Sequence, residues 1–582
     1  MSDQATRLPS LLRSPWAVLA IWAIYAALRL AIQPLLGWHP VGADEWTRAL
    51  EVRALLDGQA WWDVTQYRMN PPTGFSMHWS RLVDLPLAGA SWLVGEGLAF
   101  ALVPLLWLIP ALFALRSIML RLQFPPLALG FGLCLLPLFP LLPGTFAPFG
   151  IDHHAPQAVL GLICAALLLS DRRAAAIAAG VCAAAWVSIS LEGLPMVAAL
   201  AALYAARYLW AEQRLLAPFL GALAVAAPAL TWATRGPGAF ALGYCDIMLP
   251  GHMAAFAVAA LGAFAAGFVA QPNLFTRLGT LALIGAASLA AAVALLGECA
   301  TNPMAELDPL LITYWHGHIA EGLPVWQQPL SAGLVLIWTI LLVAAGWRAA
   351  PRSPGFLLLA GFALAAGLYS LLLYRAGVLA QLLAIPFAAL LLAQYLPKVR
   401  AMGAAVPRIA ATLACFALAT PVFVSALAKP LDPYLAPDTL RQDAAMLIEG
   451  GPCDYARLTG LPPGLIFAPF DHAPEILGRT AHSVVAASYH RNQHPMRAVI
   501  AALTGPVDEA EAIVRSTGAD YVLACSSDAD LALYRTAAPD NFANMLVSGQ
   551  VPGWLEPVMG FEEGSLRVYH VTPTAGTSSP RR

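Results

Sequence analysis

The stretch SPWAVLAIWAIYAALRLAIQPLL, Ser14 to Leu36, decides the fold. Its single charged side chain is Arg29, and as a helix it reaches across an apolar layer of about 30 Å. No small-residue cleavage site follows it, so it reads as a retained membrane span and not as a cleaved leader. Arg7 and Arg13 precede it, which places the N-terminus on the cytoplasmic side.

Runs of the same kind recur along the chain. The expected spans number about thirteen, at 15–36, 97–116, 124–143, 156–170, 174–190, 192–207, 215–233, 252–270, 278–297, 331–347, 355–373, 376–396 and 409–427. The fifth and sixth are short and read equally as one broken unit. Of the 582 residues 59% are hydrophobic and 11% charged, with mean hydropathy +0.68. A soluble domain carries roughly 25% charged residues. The chain therefore reads as a polytopic α-helical membrane protein. A net charge of −2 gives no signal for a nucleic-acid partner.

Basic residues mark alternate connections: Arg116 and Arg121, Arg172 and Arg173, Arg207 and Arg214, Arg277, Arg348 and Arg352, and Lys398, Arg400 and Arg408. Those connections are expected in the cytoplasm. The others then face out: 37–96, 144–155, the turn near Glu192, 234–251, 298–330, the turn at Arg375, and everything after about residue 428. The expected organisation is a membrane domain over 1–428 and an outer α/β domain over 429–573. A frayed tail follows over 574–582. In the outer domain β-type runs at Gly464–Ala468, Tyr521–Cys525 and Leu566–Val571 alternate with helical ones at Asp438–Glu449 and Val507–Ser516. An uncleaved, Ala-rich chain of this layout suits a bacterial inner membrane, with the last domain in the periplasm.

The eight cysteines show no zinc spacing. Cys134, Cys164, Cys182 and Cys415 lie in apolar runs and read as packing residues. Cys245, Cys299, Cys453 and Cys525 lie in polar segments. In an oxidising compartment Cys453–Cys525 or Cys245–Cys299 are the pairs to expect, although spacing does not decide between pairings.

Three polar loops carry the chemistry. The first opens with Asp44 and Glu45. Its Trp46–Leu56 stretch has helical spacing, with Arg48, Glu51 and Arg53 interspersed, and is expected to lie on the membrane surface. The loop continues through Pro71-Pro72-Thr73-Gly74 to Met77-His78-Trp79-Ser80-Arg81-Leu82-Val83-Asp84. It reads either as an interfacial connector with aromatic anchors or as a functional loop. The second loop holds Asp152-His153-His154, where Asp-x-His puts a carboxylate and an imidazole within reach of one cation; capping of the next helix is the plainer reading. The third, 298–330, holds Glu306, Asp308, His316, His318 and Glu321. Arg375 stands at a turn between two apolar runs. It reads as snorkelling to the interface or as a phosphate clamp, because guanidinium binds phosphate through two donors.

Taken in order, these segments resemble the catalytic subunit of oligosaccharyltransferase, a GT-C membrane glycosyltransferase. The resemblance rests on Asp44 after the first span, on Pro72-Thr73-Gly74 with His78-Trp79 and Asp84, and on Asp152-His153-His154. It extends to Glu321 late in the long loop, without the family's hydroxyl residue, and to Arg375 followed by an apolar run with Pro386. It covers almost the whole chain through short motifs. It implies a GT-C fold of about thirteen spans with an outer α/β domain, and a sugar or oligosaccharide donor on polyprenyl phosphate or pyrophosphate. It further implies Mn²⁺ or Mg²⁺ held by Asp44, Asp152, His154 and Glu321, with Asp44 or Glu321 also acting on the acceptor and Arg375 on the lipid-linked phosphate. The acceptor side would include His78, Trp79, Asp471, His472, His490 and Arg491.

The family's Trp-Trp-Asp-Tyr-Gly sequon reader is not kept. The corresponding place reads Ala468-Pro469-Phe470-Asp471-His472-Ala473-Pro474, and Trp61-Trp62-Asp63 lies in the first loop instead. The acceptor is therefore left as a protein, a glycan or a lipid. Two rivals are a related GT-C enzyme using a polyprenyl-phosphate monosaccharide and a transporter or flippase. The latter would spread polar residues through the midplane, whereas here they gather in loops.

Overall fold

The computed structural model describes residues 13–211, 214–241, 243–269, 273–300, 307–435 and 451–573. The expected helix at Asp438–Glu449, Glu306 and the tail at 574–582 lie outside them. The chain forms two compact units. One comprises Met1–His39, Trp79–Ala305 and Glu321–Leu435, and the other Pro40–His78, Glu306–Ala320 and Ala436–Arg582.

The first unit is helical. Its opening helix, Pro15–Leu36, starts at Ser14, whose hydroxyl accepts from the Trp16 N–H, and stops at Gly37, whose φ of 100° continues no helix. Helix Gly377–Arg400 is enclosed over its first half, where every residue from Gly377 to Ala389 is buried. A helix apolar all round belongs at the centre of a bundle. Its one interior polar residue, Gln381, uses its carbonyl to accept the Leu141 N–H at 3.0 Å. Outer helices are bare by contrast: Leu274–Leu296 has no buried residue, and Phe275 is 84% exposed. Apolar surface of that kind matches a hydrocarbon solvent.

Among the described residues seven helices are long and apolar enough to cross a membrane, or up to eight if a bent pair counts as one span. Four shorter apolar helices accompany them: His154–Leu168, Arg173–Ile189, Pro250–Ala265 and Pro354–Ser370. Among the described residues two of the expected runs are interrupted. The run at 124–143 is not one helix: Pro126–Cys134 is followed by a single 3-10 turn, Leu136–Leu138, and a short helix, Leu141–Thr145, in a stretch that holds Pro137, Pro140 and Pro143. The run at 409–427 bends by 92° between Ala405–Ala419 and Pro421–Leu435. Thr420, which precedes Pro421, is held extended at φ −137°, ψ 138°. Leu191–Gly193 separates Arg173–Ile189 from Leu194–Ala211 as a tight turn.

The second unit is α/β. A two-stranded ribbon pairs β1 (Thr65–Gln66) with β2 (Phe75–Ser76). The main sheet contains β3 (Leu465–Phe467), β4 (Ser483–Val484), β5 (Tyr521–Cys525), β6 (Leu555–Pro557) and β7 (Leu566–Val571), in the order β4-β3-β5-β7-β6. β3 is parallel to β4 and β5, and β7 is antiparallel to β5 and β6. All five residues of β5 are buried, as the central position requires. Phe467, Val522, Tyr569, Val499 and Leu503 share one core with Leu311 and Trp315. The β5 and β7 runs read from the sequence match the strands residue for residue, and the Val507 helix extends to Thr517.

Helix Ala43–Leu56 forms where the first loop shows helical spacing, but it is not a surface helix. Trp46 to Val52 are all buried, and Arg48 and Glu51 form an ion pair at 3.0 Å with neither side chain exposed. Both disulfides form, Cys245–Cys299 in the first unit and Cys453–Cys525 in the second. Of the free thiols Cys164 is core, as expected, whereas Cys134 is exposed.

Candidate functional site

The second and third loops meet in the first unit. Gly150-Ile151-Asp152 leads into helix His154–Leu168, and the Asp152 Oδ1 accepts the His154 N–H at 2.8 Å. That bond caps the helix start. Asp152 Oδ2 is turned to the ring instead, 3.8 Å from His154 Nε2. The capping reading and the ligand reading thus employ different oxygens of one carboxylate.

Glu321 arrives from the other side, its Oε2 3.6 Å from the same Nε2. Two backbone bonds fix its loop against the turn bearing Arg375: Val325 N–H to Leu371 O at 2.8 Å and Tyr374 N–H to Leu323 O at 3.3 Å. Arg375 Nη1 then donates to Glu321 Oε1 at 2.9 Å. Its Nη2 donates to Glu192 Oε1. Asp152, His154, Glu321, Arg375 and Glu192 therefore form a continuous chain of charged side chains, in which one imidazole nitrogen is flanked by two carboxylate oxygens.

Glu192 is the member that the sequence reading leaves out. It sits in the Leu191–Gly193 turn, with its N–H accepted by Ser190 Oγ at 3.3 Å and its carbonyl accepting the Tyr369 hydroxyl at 3.1 Å. Gly193 keeps the turn tight, because a Cβ there would lie 2.6 Å from Trp186 Nε1. The available signal was a lone carboxylate between two apolar runs. Beneath the charged groups lies a recess walled by Trp186, Met196, Val378 and Leu379, with His154, Glu192 and Arg375 at its polar end.

Burial opposes ionisation of Glu321, but His154 beside it and the Arg375 guanidinium outweigh it and hold its carboxyl down at about 2. Its side chain remains 44% exposed. Trp79 belongs to the same unit and packs on His153, ring centroids 5.8 Å apart.

The remaining predicted residues lie in the second unit, in two groups. Asp44, in the first turn of helix Ala43–Leu56, accepts the Tyr489 hydroxyl at 3.2 Å, and the same hydroxyl reaches Thr47 Oγ1 at 2.7 Å. Burial, with Asp44 alongside, raises the Tyr489 phenol well above its ordinary value and keeps it a neutral donor. The His78 ring lies tilted against that of His490, centroids 4.9 Å apart, and Arg491 Nη1 donates to the Ser76 and Met77 carbonyls at 3.4 Å. Asp471 and His472 have other neighbours: His472 Nε2 lies 3.7 Å from the buried Asp528, and its ring is 5.2 Å from Tyr455. Asp528 carried no motif that would single it out.

No protein-family model matches the chain, and no curated protein matches it in sequence. Solved structures do match in fold. The archaeal oligosaccharyltransferase AglB from Archaeoglobus fulgidus, in complex with an inhibitory peptide and a dolichol-phosphate, superposes with a TM-score of 0.63 at 15% identity, covering 96% of this chain and 74% of that one. The same enzyme tethered to an acceptor peptide containing the NVT sequon gives 0.63 at 14% identity, over 97% and 75%. Its complex with Zn and sulfate gives 0.55 at 14%, over 95% and 73%. The helical unit with its long apolar helices, the α/β unit and these superpositions together show that the chain has the fold of the archaeal oligosaccharyltransferase.

Proposed function

We propose that this chain is a membrane glycosyltransferase. It would move a sugar or oligosaccharide from a polyprenyl phosphate or pyrophosphate to an acceptor outside the cytoplasm, by an inverting-type displacement. The observation that carries the reading is the Asp152–His154–Glu321–Arg375–Glu192 cluster above an apolar recess. An anionic head on a long apolar tail is the ligand shape that such a pairing fits.

The residues suit a divalent cation. Neither contact of His154 Nε2, at 3.8 and 3.6 Å, has the length of a hydrogen bond, so two carboxylate oxygens and one imidazole nitrogen remain as donors. Asp152, His154 and Glu321 would hold the ion; oxygen ligands serve Mg²⁺ or Mn²⁺, and the imidazole tilts the choice to Mn²⁺. When bound, the cation would supply Lewis-acid stabilisation of the departing phosphate. The cluster holds three carboxylates, two of them on the Arg375 guanidinium and the third beside the His154 ring, an excess of negative charge over that one guanidinium that a divalent ion would offset. Arg375 would bind the phosphate oxygens, Glu321 would anchor Arg375, and the apolar walls would exclude water from the reacting bond. Asp44 enters from its place in the sequence, as a carboxylate that orients or deprotonates the acceptor. Membrane lipid would surround the helices, and the disulfides support an oxidising, periplasm-like compartment for the loops that carry them.

Donor class is tested by presenting purified protein with undecaprenyl-phosphate monosaccharides and undecaprenyl-pyrophosphate oligosaccharides and following release of the lipid phosphate. Turnover of the pyrophosphate oligosaccharide supports the oligosaccharyl-type reading. Turnover of the monophosphate alone moves the chain to lipid or polysaccharide modification. Binding without turnover of either would leave a carrier, not an enzyme.

A further inference from the structure

A guanidinium presents two two-donor edges, Nη1 with Nη2 and Nε with Nη2. In Arg375 the first edge is shared between Glu321, on Nη1, and Glu192, on Nη2. On the second edge Nη2 already meets Glu192 through one of its two N–H groups, while Nε–H is buried and donates to nothing among the described residues. A buried donor left unmatched costs free energy. An oxyanion with two oxygens would satisfy Nε and Nη2 together, and the Glu192 carboxylate, already on Nη2, competes with it for that nitrogen.

We propose that Glu192 is a displaceable placeholder on Arg375: it holds the guanidinium while the site is empty and yields it when the phosphate of the lipid donor enters. The proposal rests on the phosphate-clamp reading of Arg375. The local geometry suits an exchange. Glu192's backbone is pinned at both ends, by Ser190 and by Tyr369, so the side chain alone needs to swing. That side chain is 28% exposed and Arg375 24%. Both line the same recess, whose walls of Trp186, Val378 and Leu379 would hold the first isoprenoid units. Glu321 keeps Nη1 during the exchange, so Arg375 stays in place. Competition of this kind weakens donor binding and speeds release of the lipid phosphate after transfer.

A placeholder and a prop predict opposite signs. Binding of undecaprenyl phosphate to the full-length protein in detergent is measured by tryptophan fluorescence for wild type, Glu192→Gln, Glu192→Asp, Arg375→Gln and the Glu192→Gln/Arg375→Gln pair. Glu192→Gln removes the charge without changing shape and is expected to bind roughly tenfold more tightly, equivalent to ~1.4 kcal/mol. Glu192→Asp, one methylene shorter, is expected to tighten binding less. Arg375→Gln is expected to lose binding, with no gain from adding Glu192→Gln. Weaker or unchanged binding in Glu192→Gln, with binding still lost in Arg375→Gln, would overturn the placeholder alone. Equal binding by wild type and Arg375→Gln, or none by either, would overturn the clamp reading and the placeholder with it.

Discussion

Asp152 serves two neighbours at once, with one oxygen on the His154 N–H and the other facing the His154 ring. That division explains why the residue was legible as a ligand and as a cap, with neither reading excluding the other. His154 and Arg375 were legible for a common reason: each is a polar group in a short connection between apolar runs, where chance polar residues are few, whereas Glu321, in the long third loop, was singled out by the resemblance. Glu192 and Asp528 were not, because their significance lies in partners distant in sequence. Asp528 gives a test at this scale. It caps helix Ala529–Arg535 through the Asp530 and Leu531 N–H groups and is 1% exposed. Burial raises its carboxyl above the ordinary 3.8, against the pull of His472 and those N–H groups. The folded state therefore keeps a proton that the unfolded state has released, so this group's contribution falls as pH rises above 3.8. Asp528→Asn retains the cap, since Asn caps as well as Asp, and removes the buried titratable group. Thermal unfolding is expected to show the variant about 1–3 kcal/mol more stable at pH 7, with the gain vanishing below pH ~4.

At the scale of elements, pattern located helices better than it located their ends or their exposure. The Ala43–Leu56 helix was misread as interfacial because Arg48 and Glu51 look like a solvated face, whereas they neutralise each other inside the protein. The prolines that interrupt 124–143 and 409–427 were visible, but a membrane helix tolerates proline when neighbours re-satisfy the backbone, so the break depends on packing. Packing itself is tested at Gly180, where helix Arg173–Ile189 meets Leu216–Arg235. A Cβ there would lie 2.3 Å from the Phe219 carbonyl and 2.8 Å from the Ala222 Cβ. Gly180→Ala gains helix propensity but forces the two helices apart. The expected net loss is about 1–3 kcal/mol, read as a lowered Tm in detergent.

For the whole molecule, composition fixed the class and the order of short motifs fixed the likeness, while the grouping of residues into two units was beyond either. The first loop up to His78 and the segment Glu306–Ala320 join the C-terminal residues, a partition made by long-range packing. Sidedness is open to direct test. If both disulfides face an oxidising compartment, a membrane-impermeant reductant applied to intact cells or right-side-out vesicles should expose Cys245, Cys299, Cys453 and Cys525 to an impermeant maleimide. Labelling confined to inside-out vesicles would reverse the assigned orientation. The central claim, chemistry at the Asp152–His154–Glu321 group, is tested most directly with Asp152→Asn. This substitution preserves a side-chain oxygen for the His154 N–H and removes the charge. The measurement is release of polyprenyl phosphate from a lipid-linked sugar, with and without Mn²⁺, by wild type and variant. The account predicts metal-dependent release that falls by roughly 10²–10³-fold in the variant, at unchanged Tm. Release that ignores both the chelator and the substitution would contradict it.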